Sequence, residues 1–340
     1  MLLHAKPVFK FVVAAYCLST VHLSMAAEAV QENSKPVTEQ LVDTLTQLSG
    51  GPHAGFRANH AKGLVVKGDF TPATTAASVT KAAHLQTAVT PVIVRFSNAT
   101  GVPNIPDAEG NAFPKGIAIR FQLADDSYTD IVSISVNGFP AATPEDFLSL
   151  LNAVAASGPN AAKPSPVEQF LGSHPAALKF VTTPKPAPVS FATQAFYGVN
   201  AFKFTNAKGE VNYGRYRIEP VGGQQFLSKA EQEKAAPDYL MQELPVRLSK
   251  AAAKYRISVQ LADAGDEVND ATVTWPDTRR VVELGTLTIR AVDENGKAFE
   301  KGTMFNPLAL TDGIEPSADP ILLARPSAYA VSFGRRLGGK

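Results

Sequence analysis

The chain has 340 residues, 45% of them hydrophobic and 19% charged, with 32 Lys and Arg against 31 Asp and Glu. That is enough apolar chain for a large core. The balanced charge argues against a polyanion such as nucleic acid as partner, because phosphate binding needs Lys and Arg massed on one face. With 24 Gly and 25 Pro, the composition also excludes a coiled coil or an acidic disordered protein and points to a turn-rich fold with many strands.

The first segment reads as a signal peptide over residues 1–26. Lys6 and Lys10 precede a mostly apolar run over 11–23, and small residues follow at Ser24, Ala26 and Ala27. Ser19, Thr20 and His22 interrupt the run, which is too short to span a bilayer well. Export to the periplasm or the exterior is therefore expected, with no stable membrane insertion after processing. Cys17, the single cysteine, falls in this segment, so thiol catalysis and thiolate metal ligation are excluded for the mature chain. Residues 27–35 read as a polar linker, and 36–340 as one folded domain.

Pro36 opens a helix that places Leu41, Val42, Leu45 and Leu48 on one face before Gly50-Gly51 stops it. Runs over 64–70, 92–96, 116–123 and 130–136 are short, β-branched or aromatic, and bounded by Gly and Pro, as strands are. Thr143-Pro144-Glu145-Asp146 is a helix start, with a Thr N-cap, Pro in the first position and acids in the first turn. Short helical pieces are expected over 165–171 and 175–180, inside a stretch rich in Pro, Ala and Lys. Four more strands are expected over 201–204, 211–218, 257–261 and 284–289, with a helix over 238–254. Eight strands in one chain, with helices in the insertions, suggest a closed antiparallel barrel.

Few residues are left for chemistry. Beyond the signal segment there are four histidines, His53, His60, His84 and His174, with no HExxH and no His pair at helical spacing. No GxSxG elbow and no dinucleotide-type Gly loop occurs. Two segments remain. One is Arg57-Ala58-Asn59-His60-Ala61-Lys62-Gly63, leading into a strand. The other is Arg325-Pro326-Ser327-Ala328-Tyr329 with Arg335-Arg336-Leu337-Gly338 behind it. If 325–333 is helical, Arg325 and Tyr329 share a face at i and i+4, with Arg336 two turns on. A guanidinium held against a phenol oxygen favours the ionised oxygen, which is a possible axial ligand for ferric haem. A structural His at a strand head, and a helix-end aromatic among solvated arginines, are the alternatives for each segment alone.

Taken together, the segments resemble the haem catalases. Arg57 to Gly63 fits that family's distal R-x-x-H-A-K-G, and Arg325, Tyr329 and Arg336-Leu337-Gly338 fall at the spacing of its proximal tyrosine motif. Between them, Val94-Arg95-Phe96-Ser97 is similar to V-R-F-S, and Pro114-Lys115-Gly116-Ile117-Ala118-Ile119-Arg120-Phe121 to P-R-G-F-A-V-K-F. Phe305-Asn306-Pro307 and Gly313-Ile314-Glu315-Pro316-Ser317 resemble the approach to the proximal helix. The resemblance runs in family order from about Gly55 to Gly338.

The resemblance implies an α+β fold on an eight-stranded antiparallel barrel with helical insertions, lacking the C-terminal helical domain of full-length catalases. It implies a b-type haem with Tyr329 as the iron ligand and Arg325 bearing on its oxygen. His60 is then the distal acid-base group, Ser97 the hydrogen-bond partner of its ring, and Arg57, Arg95 and Arg336 the partners of the propionates. Asn137, one residue out of register with the family's N-x-P-V-F-F, is the candidate distal amide. The implied function is that of a small exported catalase-related peroxidase, which reduces hydrogen peroxide or organic hydroperoxides with a small-molecule electron donor and has weak catalase activity. A hydroperoxide-rearranging haem enzyme and a non-catalytic haem-binding protein are the alternatives, and a homodimer is left open.

Overall fold

The strands of this fold are recognisable from their two-residue alternation. The computed structural model describes residues 35–86 and 88–339. The expected signal peptide, and all but the last residue of the expected linker, lie outside them. The described strands are β1 (Gly63–Pro72), β2 (Thr90–Ser97), β3 (Gly116–Gln122), β4 (Tyr128–Ile134), β5 (Phe196–Tyr197), β6 (Phe202–Thr205), β7 (Val211–Pro220), β8 (Ala253–Leu261), β9 (Val281–Val292) and β10 (Ile314–Pro316). They form one antiparallel sheet in the order β10-β6-β7-β5-β4-β3-β2-β1-β9-β8. A further pairing of β7 with β8 closes eight of them, β7-β5-β4-β3-β2-β1-β9-β8, into a barrel. Closure removes the exposed sheet edges that invite aggregation.

β7 makes this possible by its length: Val211 to Gly214 pair with β6, while Arg217 and Ile218 pair with β5. The expected count of eight is thus met with one change of membership. The strand expected over 201–204 forms β6, which hangs outside the closed circuit, and its place is taken by β5, whose two residues are too few to show a period.

Successive side chains on a strand point to opposite faces, and β2 uses both. Val92, Val94 and Phe96 pair with Phe121, Ile119 and Ile117 of β3, and all six are at most 2% exposed. Phe96 stacks on Phe191 with ring centroids 5.1 Å apart, and Tyr255 donates its hydroxyl hydrogen to the Phe191 carbonyl. Burying one such side chain contributes about 1.5–3 kcal/mol. The alternate rows, Arg95↔Ala118↔Val132 and Ser97↔Gly116↔Ile134, face the other way.

The helices are α1 (Val37–Leu48), α2 (Pro144–Ala155), α3 (Pro166–Ser173), α4 (Pro175–Thr182), α5 (Lys229–Lys234), α6 (Tyr239–Leu248), α7 (Gly296–Gly302) and α8 (Pro320–Leu337). Thr143 caps α2 by accepting from the Asp146 N–H, and Ser165 and Glu168 form a capping box on α3. α1 packs on α2 and α8. Leu41 and Val42 are buried as expected, but Leu48 is 38% exposed. The buried face of α1 passes instead through Thr44, which donates to Asn152 Oδ1 on α2 at 3.2 Å.

The helix expected over 238–254 stops at Leu248. The Ala-rich residues that follow have good helix propensity, but Ala253, Tyr255 and Ile257 alternate as buried residues and pair with β9, so tertiary pairing overrides propensity. Among the described residues no helix is long and apolar enough to cross a membrane.

Candidate active site

A cavity of ≈ 270 Å³ lies between the outward rows of β2, β3 and β4 and the helices α1, α2 and α8. Arg57, His60, Arg95, Ser97, Arg325, Tyr329 and Arg336 all line it. The structure thus brings together seven of the eight residues singled out from sequence. Asn137 stands apart: it lies in the bend after β4 and is not among the described lining residues, although Phe139 two positions on is.

His60 sits just before β1 with φ of 57°. Left-handed backbone at a non-glycine residue costs about 1–3 kcal/mol and persists where surroundings over-determine it. Here Arg95 Nη2 donates to the His60 carbonyl at 2.9 Å and the Ala61 carbonyl at 3.3 Å. The ring Nδ1 lies 3.0 Å from Ser97 Oγ. Gly116 lies opposite Ser97 on β3; a Cβ there would come within 2.7 Å of Ser97 Oγ and 3.0 Å of the His60 ring. The ring is half-buried by surface area because it borders the cavity, yet protein surrounds it on the scale over which charge acts. Its pKa is lowered to about 3, first by burial and then by the guanidiniums of Arg95 and Arg57, with a hydrogen bond to the Asn98 backbone acting the other way. His60 is therefore a neutral imidazole at ordinary pH.

The proximal segment is helical as expected. α8 is capped by Asp319, whose carboxylate accepts from the Ile321 and Leu322 N–H groups. Arg325 Nε donates to the Tyr329 oxygen at 3.1 Å, and its Nη1 donates to Asn200 Oδ1 at 2.7 Å. Asn200 in turn donates to Asp319 at 2.7 Å. The guanidinium on Tyr329 is thereby braced from the helix cap through Asn200, a residue that carried no local signal in the sequence.

Arg57, Arg95 and Arg336 converge on α7 and the loop that follows it. Glu300 accepts from Arg57 at 3.3 Å and from Arg95 Nε, and the Thr303 carbonyl accepts from Arg57 at 3.2 Å and Arg336 at 2.9 Å. Burial, then Arg95 and Arg336, press the Arg57 pKa below its ordinary value. Burial, then Arg95, lower that of Arg336 to about 10. Arg336 is 3% exposed rather than solvated, and its buried Nε has no partner. Three cations stand around one carboxylate, which of the three bonds only Arg57 and Arg95, so the cluster is built to receive additional negative charge. Arg120 anchors the same loop: it grips Asp130 with two bonds, at 2.8 and 2.7 Å, and donates to the Met304 carbonyl.

The donor set fits a haem. It has a phenol oxygen as ligand, three guanidiniums for the propionates, one with an unpartnered Nε, and walls such as Val132, Phe139, Phe147 and Phe305 for the macrocycle. Glu300 and Asn200 were missed by sequence reasoning. His84 and His174 lie outside the cavity lining. His84 is a core residue, 2% exposed and 4.6 Å from the Phe121 ring.

The fold and this constellation define a barrel protein with a tyrosine, a histidine and an arginine cluster around one cavity, and residues 51–340 match the catalase family. The chain belongs to that family, a class of oxidoreductases that act on peroxide and use haem. It is 33% identical over 303 residues to a catalase-related peroxidase of Mycolicibacterium paratuberculosis, covering 88% of this chain and 95% of that protein. A catalase-related peroxidase of Synechococcus elongatus is 31% identical over 330 residues, covering 96% of each. Among solved structures, a fungal catalase superposes with a TM-score of 0.73 at 21% identity, covering 98% of this chain and 66% of that one. Catalase A of Saccharomyces cerevisiae superposes with a TM-score of 0.73 at 20% identity, covering 98% and 68%. The chain thus spans about two thirds of those solved catalases.

Proposed function

We propose that this protein is an exported haem b peroxidase that reduces hydrogen peroxide or organic hydroperoxides with electrons from a small-molecule donor. The observation that carries the reading is the meeting of His60 and Tyr329 in one cavity, beside an arginine cluster short of negative charge. Haem, when bound, would supply redox-active iron for the reduction of peroxide. Tyr329 would provide the oxygen ligand, and Arg325 holds that oxygen in place. Arg57, Arg95 and Arg336 would hold the propionates by charge-assisted hydrogen bonds.

His60 moves the proton. With Nδ1 engaged by Ser97, Nε2 of the neutral ring is left to take a proton from one peroxide oxygen and return it to the other, so that the leaving oxygen departs as water. Export rests on the charge and hydropathy pattern of residues 1–26.

An absorption spectrum of the purified protein, with and without peroxide, followed by the rate of oxidation of an added donor, tests the proposal. A haem band that responds to peroxide, with donor oxidation faster than oxygen release, is the expected result. A protein without haem, or one whose haem spectrum ignores peroxide, overturns it.

A further inference from the structure

A second cavity, of ≈ 220 Å³, adjoins the first and shares Arg57, Ala58 and Ser332 with it. Its other walls include His53, Phe56 and Arg335. We propose that this cavity is the docking site for a neutral phenolic electron donor, with the Phe56 ring as its stacking surface and His53 as the acceptor of its proton. The proposal rests on the peroxidase reading and names the donor class that reading leaves open.

Three observations support it. Phe56 is a large apolar side chain that is 47% exposed, and aromatic rings in this state gain from a second ring placed against them. His53 Nε2 lies 2.9 Å from the Ser49 carbonyl; a carbonyl oxygen only accepts, so Nε2 carries a hydrogen and Nδ1 is the ring nitrogen left to accept one. The cations at the cavity have other partners. Arg335 lies 2.6 Å from Asp43 and 3.5 Å from Glu39, and Arg57 shares Glu300 and, on the haem reading, is taken up by a propionate, so an uncharged guest suits the site better than an anion. The wall shared by the two cavities places such a guest next to the arginine that holds the edge of the peroxide site.

A phenol suits this set because its one-electron oxidation releases a proton that a base must accept. Two phenols are oxidised for each peroxide, 2 ArOH + H2O2 → 2 ArO• + 2 H2O. Each phenol O–H bond breaks, its electron passes to the enzyme oxidised by peroxide, and its proton passes to His53 Nδ1. The protons released by the two phenols complete the two waters.

The test compares guaiacol, a phenol, with ferrocyanide, a one-electron donor that has neither a ring nor a proton to lose, in the full-length protein. Binding of guaiacol to the resting protein is read by saturation-transfer NMR, without turnover. Phe56→Ala should weaken guaiacol binding and raise its KM by about 3- to 10-fold, while leaving ferrocyanide oxidation unchanged. His53→Gln should lower kcat for guaiacol on the order of 100-fold, with KM and the ferrocyanide rate near wild type. Unchanged guaiacol binding and turnover in both variants would overturn the proposal. So would equal losses with both donors, which would mark the segment as structural. If the wild-type protein oxidises neither donor with peroxide, the peroxidase reading falls. Binding to the resting protein then still decides whether Phe56 forms a phenol site.

Discussion

Ser97 and Gly116 face each other across β2 and β3, and the side chain that Gly116 lacks is the space in which the His60 ring rests. Gly116→Ala should push Ser97 or the imidazole aside. Peroxide turnover is expected to fall by about 100-fold, as for a misplaced reacting group, with haem content near wild type. Measuring haem per protein and initial rate on the same preparation separates this from a folding defect, in which both fall together.

Tyr329→Phe removes the ligand oxygen while keeping the packing of the ring. It should lose haem or change the ferric spectrum. Full occupancy with an unaltered spectrum would refute the assignment. Arg325→Ala should be milder, leaving the ligand but releasing the tether to Asn200, with the ferric/ferrous midpoint moving upward.

His60→Ala should retain haem and lose peroxide activation, on the order of 100-fold or more. His174→Ala is the control and should cost little, because His174 stacks on Phe170 at the joint of α3 and α4, away from the cavity. His84 would be a poor control: burial makes it part of the core. Because His60 stays neutral down to about pH 3, its protonation should not impose an acid limb between pH 5 and 8. A limb near pH 6.5 that disappears in His60→Gln would contradict the buried, neutral ring.

Stability should fall on acidification. His60 and His84 both have pKa values lowered to about 3 in the folded protein, against about 6.5 unfolded. Between those values the unfolded chain binds more protons, so the folded state loses up to about 1.4 kcal/mol per pH unit for each ring. That stability is fully present above the unfolded value and is lost as pH falls towards 3. Denaturant titrations across that window should show the slope, and His84→Gln should flatten it.

Asn137→Ala should change neither donor oxidation nor haem binding, since Asn137 lies outside the described cavity lining. Oxygen release from peroxide is expected to be slow in both proteins. Rapid release that collapses in the variant would show that the amide reaches the site.

The parts of the site that sequence revealed are those encoded within a few residues. His60 and its strand, or Arg325 and Tyr329 one helical turn apart, are local patterns with local physics. Glu300 was hidden because its partner Arg95 is 205 positions away, and α7 has no apolar period to announce it. Asn200 was hidden for a similar reason, bonding across 125 positions to Arg325. The barrel was legible from alternation in its long strands, while β5 and β10 owe their pairing to neighbours already in place.

The alternation on β2 has a dynamic consequence. Arg95 and Ser97 share a strand with Val94 and Phe96, whose side chains are 0% exposed in the barrel core. The floor of the cavity therefore cannot breathe without opening the barrel, and amide exchange along 94–97 should be as slow as global unfolding allows. The clamp around Glu300 is set on a seven-residue helix whose one buried residue is Gly296 and on the loop behind it, and polar bonds rather than a buried apolar face hold it. Exchange should be faster there, and a large planar group is expected to enter from that side, against a wall that is already set.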